Sequence, residues 1–153
     1  MNEPEPGNGE KTQNFPAGRQ EEVRPVRDSG DLVRLRLPAE PFSKQLIRLA
    51  VFLVASRMNF DLATLEDLRL AVDEASSYAI AHSPAQSLLE VEIEPGKGYL
   101  EIEFKSRFAE DGEKRTTVPE SFSRMIMESV VDQMDLRREE DTCRILLRKR
   151  CAG

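Results

Sequence analysis

Leu68-Arg69-Leu70-Ala71-Val72-Asp73-Glu74-Ala75-Ser76-Ser77-Tyr78-Ala79-Ile80-Ala81-His82 is the run on which the fold turns. It holds neither glycine nor proline, and alanine and leucine favour helix throughout. Read from Thr64, at helical spacing, Leu65, Leu68, Val72, Ala75 and Ala79 fall on one face. Glu74 and Tyr78 sit one turn apart on the adjoining face, with His82 a turn further on. Thr64, with Asp67 three residues later, is the expected N-cap, and Ser83-Pro84 ends the helix.

Outward from this helix the pattern alternates between periods of two and of 3.6. Val33, Leu35 and Leu37 alternate with Arg34 and Arg36, a half-buried strand closed by Pro38 and Pro41. A helix is expected over 42–57. Its middle (Leu46, Ile47, Ala50, Val51, Phe52, Leu53, Val54, Ala55) is apolar almost all round, whereas a surface helix carries one stripe. Such a helix is either covered on two sides, by its sheet and by a second chain or partner, or sunk in the core. After a loop over 58–63 and the central helix, Leu89, Val91 and Ile93 alternate with Glu90, Glu92 and Glu94. Leu100, Ile102 and Phe104 alternate with Glu101 and Glu103, and Pro95-Gly96-Lys97-Gly98 turns one strand into the next. Glutamates so aligned would repel, so the Arg rows of flanking strands are their expected cross-strand neighbours on a solvated face. A polar loop over 105–120 containing Asp111-Gly112, a helix over 122–134 and a strand over 142–149 complete the order. The expected architecture is α+β: a two-layer sandwich with a mixed, mostly antiparallel sheet of about four or more strands and three helices on one face.

Residues 1–30 hold four glycines, four prolines and only five apolar side chains, too little to offset the cost of ordering. They are expected to be a disordered tail, a plain leader or the carrier of a short docking motif, preceding one domain over 31–153. The chain of 153 residues is 33% charged with a net charge of −6, which disfavours DNA or RNA as a direct ligand. No apolar stretch approaches the ~20 residues that span a bilayer, and no secretory pattern opens the chain, so a cytoplasmic location is expected. Cys143 and Cys151 lie on one expected strand, roughly 26 Å apart at ~3.3 Å per residue, and are read as separate thiols. His82, the lone histidine, binds no metal by itself.

The spacing Glu74-x-x-x-Tyr78-x-x-x-His82 resembles the Glu-x-x-x-Asn-x-x-x-His box of bacterial anti-sigma factors with the histidine-kinase-type (GHKL) ATPase fold, some of which are protein serine kinases. The resemblance covers about 32–150 and is most specific in the Leu68–Ala75 run. It implies that Glu74 is a vestigial general base, and that Tyr78 stands where an Asn would hold Mg²⁺ against ATP. A phenol is a poor Mg²⁺ ligand. The first glycine-rich box, Asp-x-Gly-x-Gly, maps to Phe104, Ser106 and Phe108, so the adenine-reading carboxylate and both glycines are replaced. The second, Gly-x-Gly, maps to Ser121-Phe122-Ser123, where serines add bulk at the approach to phosphate. Each lost charged hydrogen bond is worth ~1.5–3 kcal/mol, or roughly 10- to 150-fold in affinity. ATP and Mg²⁺ binding is therefore expected to be weak or lost, with Tyr78 and Phe104 filling the pocket.

The resemblance further implies that Arg48, on the first helix, contacts a sigma factor. The expected function is a degenerate anti-sigma factor that sequesters an alternative sigma factor. A STAS-type anti-anti-sigma protein would release it by partner switching, and a homodimer is expected. The rival reading is an ATP-dependent serine kinase acting on the anti-anti-sigma protein, which intact glycine boxes would favour.

Overall fold

The computed structural model describes residues 31–109 and 118–151. The expected tail over 1–30 and the Asp111-Gly112 turn lie outside the described residues. The elements are β1 (Val33–Pro38), α1 (Ser43–Ala55), α2 (Leu62–Ala81), β2 (Leu88–Pro95), β3 (Tyr99–Arg107), α3 (Glu120–Val130), β4 (Gln133–Glu139) and β5 (Thr142–Arg150). They form a five-stranded sheet in the order β1-β2-β3-β5-β4 with three helices. Every strand pairing is antiparallel, so the sheet is not mixed as the sequence reading had it. Short turns link β2 to β3 and β4 to β5, while the two leading helices connect β1 to β2 and α3 lies between β3 and β4.

The alternation read in the sequence sets the register. Leu35, Val91, Phe104, Ile145 and Leu136 form one continuous row across the sheet, and Val33, Ile93, Ile102, Leu147 and Met134 form another. These rows face the helices and, with Ile47, Val51, Leu68, Val72, Ala75 and Met127, make the core. The opposite face carries the charges. Arg34 pairs with Glu92 at 2.9 Å and Arg36 with Glu90 at 3.6 Å, while Arg144 and Arg148 pair with Glu103 and Glu101. The arginines thus neutralise the glutamate rows strand by strand. Gly98 closes the β2–β3 turn at φ +77°, a backbone region in which glycine alone is unstrained.

Four local expectations are corrected. Helix α2 is capped by Asp61, not Thr64: Asp61 is extended and its carboxylate accepts the Thr64 amide at 2.7 Å. The third helix stops at Val130 instead of running to Met134, because Val131 turns to an extended conformation (φ −120°, ψ 160°) and starts the approach to a strand. That strand, β4, was not foreseen. Met134 and Leu136 face the core within it at the strand spacing of two, whereas the sequence reading gives Met134 to the helix. The polar loop also begins later than expected, since β3 continues to Arg107.

Helix α1 excludes one of the two arrangements left open in the sequence, burial deep in the core. Ser43, Ile47, Val51, Val54 and Ala55 are buried, but Phe42, Leu46, Leu49 and Leu53 form an exposed stripe on the outer side. It is not a core helix. At the far end of the layer, Lys149 of β5 ties the helices together. Its ammonium donates to the carbonyl of Val130, at the end of α3, at 2.8 Å and to Asp67 of α2 at 3.1 Å.

Candidate functional site: the closed cleft between α2 and α3

The residues singled out in the sequence come together at the C-terminal half of α2. Tyr78 is buried (3% exposed) on the side of α2 that meets α3. Its ring stacks on His82, one turn on, at 4.1 Å between centroids, and His82 in turn stacks on Phe108 at 5.5 Å. The His82 ring nitrogen Nδ1 lies 2.8 Å from the Tyr78 carbonyl oxygen, and the His82 carbonyl accepts the Ala109 amide at 2.7 Å. The chain leaving β3 is therefore pinned against the end of α2.

An ionic knot seals the other side. The Tyr78 hydroxyl donates to Glu120 Oε2 at 2.8 Å. Arg138 approaches the same oxygen at 2.7 Å, and Arg124 reaches Oε1 at 3.1 Å. Arg124 also donates to the Leu136 carbonyl at 3.0 Å, and the Arg138 guanidinium lies 5.0 Å from the Phe108 ring centre. Arg138 reaches this spot because β4 presents it on the helix side, in register with Cys143 and Ser106. Glu120 occupies the first turn of α3, where the positive end of the helix dipole favours an anion.

The electrostatics agree with the geometry. Burial, then the hydrogen bond to anionic Glu120, pushes the Tyr78 phenol above its usual value, so it stays protonated as a donor. For Glu120, burial works to raise the carboxyl, but the Tyr78 hydroxyl and the two arginines outweigh it and hold the group below its usual value. Burial raises the Cys143 thiol to about 11, leaving it unreactive as a nucleophile.

Among the other residues expected here, Glu74 is half-buried one turn before Tyr78 on α2. Phe104 is buried (1% exposed) at the middle of β3, between Val91 and Ile145, rather than at the end of a strand. Ser121 is exposed and Ser123 buried, both in the opening turns of α3. Sequence reasoning missed Glu120, Arg124 and Arg138. The only available signal was the i,i+4 spacing of Glu120 and Arg124. Among the described residues no group of three or more His, Cys, Asp or Glu is placed to hold a metal ion. A groove of about 250 Å³ lies elsewhere, at the β2–β3 turn, lined by Lys97, Tyr99, Asp132, Gln133, Arg148 and Arg150.

Arg48 stands apart from the cleft, on α1. Its Nε and Nη2 meet Asp73 Oδ1 of α2 at 2.9 and 2.8 Å, and Arg69 Nη1 lies 3.5 Å from Asp73 Oδ2. Among the described residues no helix is long and apolar enough to cross a membrane.

No protein-family model matches the chain. Similar sequences are found among the RsbW serine-protein kinases. The Bacillus subtilis protein is 36% identical over 58 residues, 38% of this chain and 36% of its own length. The Oceanobacillus iheyensis protein is 34% identical over 83 residues, 54% of this chain and 52% of its own length. The Listeria monocytogenes (serotype 4a) protein is 40% identical over 53 residues, 35% of this chain and 34% of its own length. The chain thus spans between a third and about half of the length of the relatives it matches. Among solved structures, that of the RsbU and RsbW domains of Rv1364c from Mycobacterium tuberculosis superposes with a TM-score of 0.61 at 14% identity, over 78% of this chain and 32% of that one. Over these stretches the chain is similar to the RsbW serine-protein kinases, and its α+β fold, a five-stranded antiparallel sheet with three helices, is similar to that found in the solved RsbU and RsbW domains.

Proposed function

We propose that this chain is an anti-sigma factor that works by binding alone. It sequesters an alternative sigma factor in the cytoplasm and gives it up when a STAS-type anti-anti-sigma protein competes for it. Direct contact with nucleic acid or membrane plays no part. The observation that carries the reading is Tyr78. At the position where the resembling box has its Mg²⁺-binding amide, a buried phenol stacks on His82 and is tied to Glu120. The side chains present do not suit Mg-ATP. A phenol replaces the metal ligand, buried Phe104 stands at the adenine-reading position, and Ser121 and Ser123 stand where phosphate needs bare backbone. With no phosphoryl donor held in place, Glu74 has no reaction to serve as base.

The partner surface is α1. Its outer stripe of Phe42, Leu46, Leu49 and Leu53, beside Arg48, is an apolar helix face of the kind buried in protein interfaces. The stripe also suits a homodimer, with the sigma contact around Arg48 at its margin.

The second reading, an ATP-dependent serine kinase acting on the anti-anti-sigma protein, is favoured by the names of the relatives and by the retained Glu74. Thermal melting with and without millimolar Mg-ATP separates the two. Saturation at 100 times Kd would add ~2.7 kcal/mol and several degrees. We expect no shift, together with a stable complex with a purified sigma factor in gel filtration. A clear ATP-dependent rise in Tm would restore the kinase.

A further inference from the structure

Within the cluster on α1 and α2, Arg48 has an unusual companion. A single oxygen of Asp73 takes both Nε and Nη2 of Arg48, leaving the Nη1 edge of the guanidinium without a partner in that ion pair. The other Asp73 oxygen faces Arg69, which is itself held by Glu66 at 2.9 Å. The Arg48 side chain is 39% exposed and that of Asp73 only 21%, so the arginine is the more accessible member of the pair. Helix α1 carries Lys44 and Arg48 and no acidic residue, in a chain whose net charge is −6. Its exposed apolar stripe runs directly alongside. The patch is therefore a cationic, apolar face on an otherwise acidic protein, complementary to an apolar helix flanked by a carboxylate.

We propose that Asp73 is a positioning residue for Arg48. It orders the guanidinium before binding, so that a carboxylate on the partner docks onto the free Nη edge and completes a two-carboxylate clamp. This rests on the proposed role of Arg48 at the partner surface. An arginine left loose would have to be ordered at the moment of binding. That cost for one rotamer-rich side chain corresponds to about two- to tenfold in Kd. The opposite arrangement, Asp73 as a competitor that the partner must displace, predicts the opposite sign.

The test uses the full chain and, as probe, a purified alternative sigma factor from the same cell, with Kd measured by calorimetry. Asp73→Ala is expected to raise Kd about two- to tenfold, Arg48→Ala to raise it further, and Asp73→Ala to add nothing once Arg48 is gone. Asp73→Asn, which keeps the shape, should give a smaller effect of the same sign. A second readout needs no partner: the Arg48 Nε–H resonance should be rigid in the wild type by heteronuclear NOE and become mobile in Asp73→Ala, while Tm stays within about a degree. An unchanged or tighter Kd in Asp73→Ala, or an unchanged NOE, overturns the proposal while leaving the role of Arg48 standing. An unchanged Kd in Arg48→Ala, or no complex with the wild type, overturns the role of Arg48 and the proposal together.

Discussion

Removing one oxygen atom, in Tyr78→Phe, tests whether the cleft between α2 and α3 is held shut as described. The substitution keeps the ring, its stacking on His82 at 4.1 Å and its burial, and deletes only the 2.8 Å hydrogen bond to Glu120. A hydrogen bond to a charged group contributes ~1.5–3 kcal/mol, and Glu120 keeps Arg124 and Arg138 after the change, so the lower part of the range applies. We expect a loss of ~1–2 kcal/mol in urea denaturation at neutral pH, or several degrees in Tm. The loss has a pH signature. The Glu120 carboxyl is held below its usual value when folded, so the stability it contributes is present above the unfolded value and lost as pH falls through the folded one. Tyr78→Phe removes part of that lowering, so wild type and variant should converge as the solution is made acidic. In the Glu120→Gln background Tyr78→Phe should cost less, because the acceptor is then neutral. A Tyr78→Phe protein within ~0.5 kcal/mol of wild type at neutral pH, or a loss undiminished in Glu120→Gln, would refute the argument. Tyr78→Asn, by contrast, deletes a buried ring and should cost ~3–5 kcal/mol without creating nucleotide binding, since Phe104, Ser121 and Ser123 remain.

Two further outcomes follow from surface and burial. Leu49→Glu alters a side chain that is 67% exposed, so the fold should tolerate it within ~0.5 kcal/mol while sedimentation velocity shows any homodimer dissociating; an unaltered dimer would move that interface away from the α1 stripe. Iodoacetamide should alkylate half-buried Cys151 in the native protein but Cys143 only on unfolding, as followed by mass spectrometry, and equal rates would contradict the burial of Cys143.

What the sequence disclosed followed from how much local repetition each element had. Helix α2 is long and free of breakers, and the β2–β3 hairpin alternates cleanly around Pro95 and Gly98, so both were legible to within a few residues. Strand β4 was not. It follows a helix after only a short turn, and Met134 falls at a spacing that also continues the apolar face of α3. Half of the cleft was visible, because Tyr78 and His82 share a helix and a periodicity. The other half joins residues far apart in sequence: Glu120 lies 42 positions from Tyr78, and Arg138 comes from the unforeseen strand. No local pattern encodes such a contact. The cap of α2 was missed because Asp61 and Thr64 are both good capping residues, and only backbone geometry chooses between them. The apolar circumference of α1 left a covering partner and burial in the core equally open, and only the packing of the helix shows that its outer stripe stays exposed.

The closed cleft also bears on how such a protein could process a signal. A switch that burns nucleotide can be driven in one direction and reset by turnover. On the reading proposed above, one whose cradle is filled by its own Tyr78, His82 and Glu120 would have no fuel and would obey detailed balance. Its output then depends only on the abundances and affinities of the competing proteins. Gene activation would track a titration point between sigma factor and antagonist, and would reverse as soon as their ratio did.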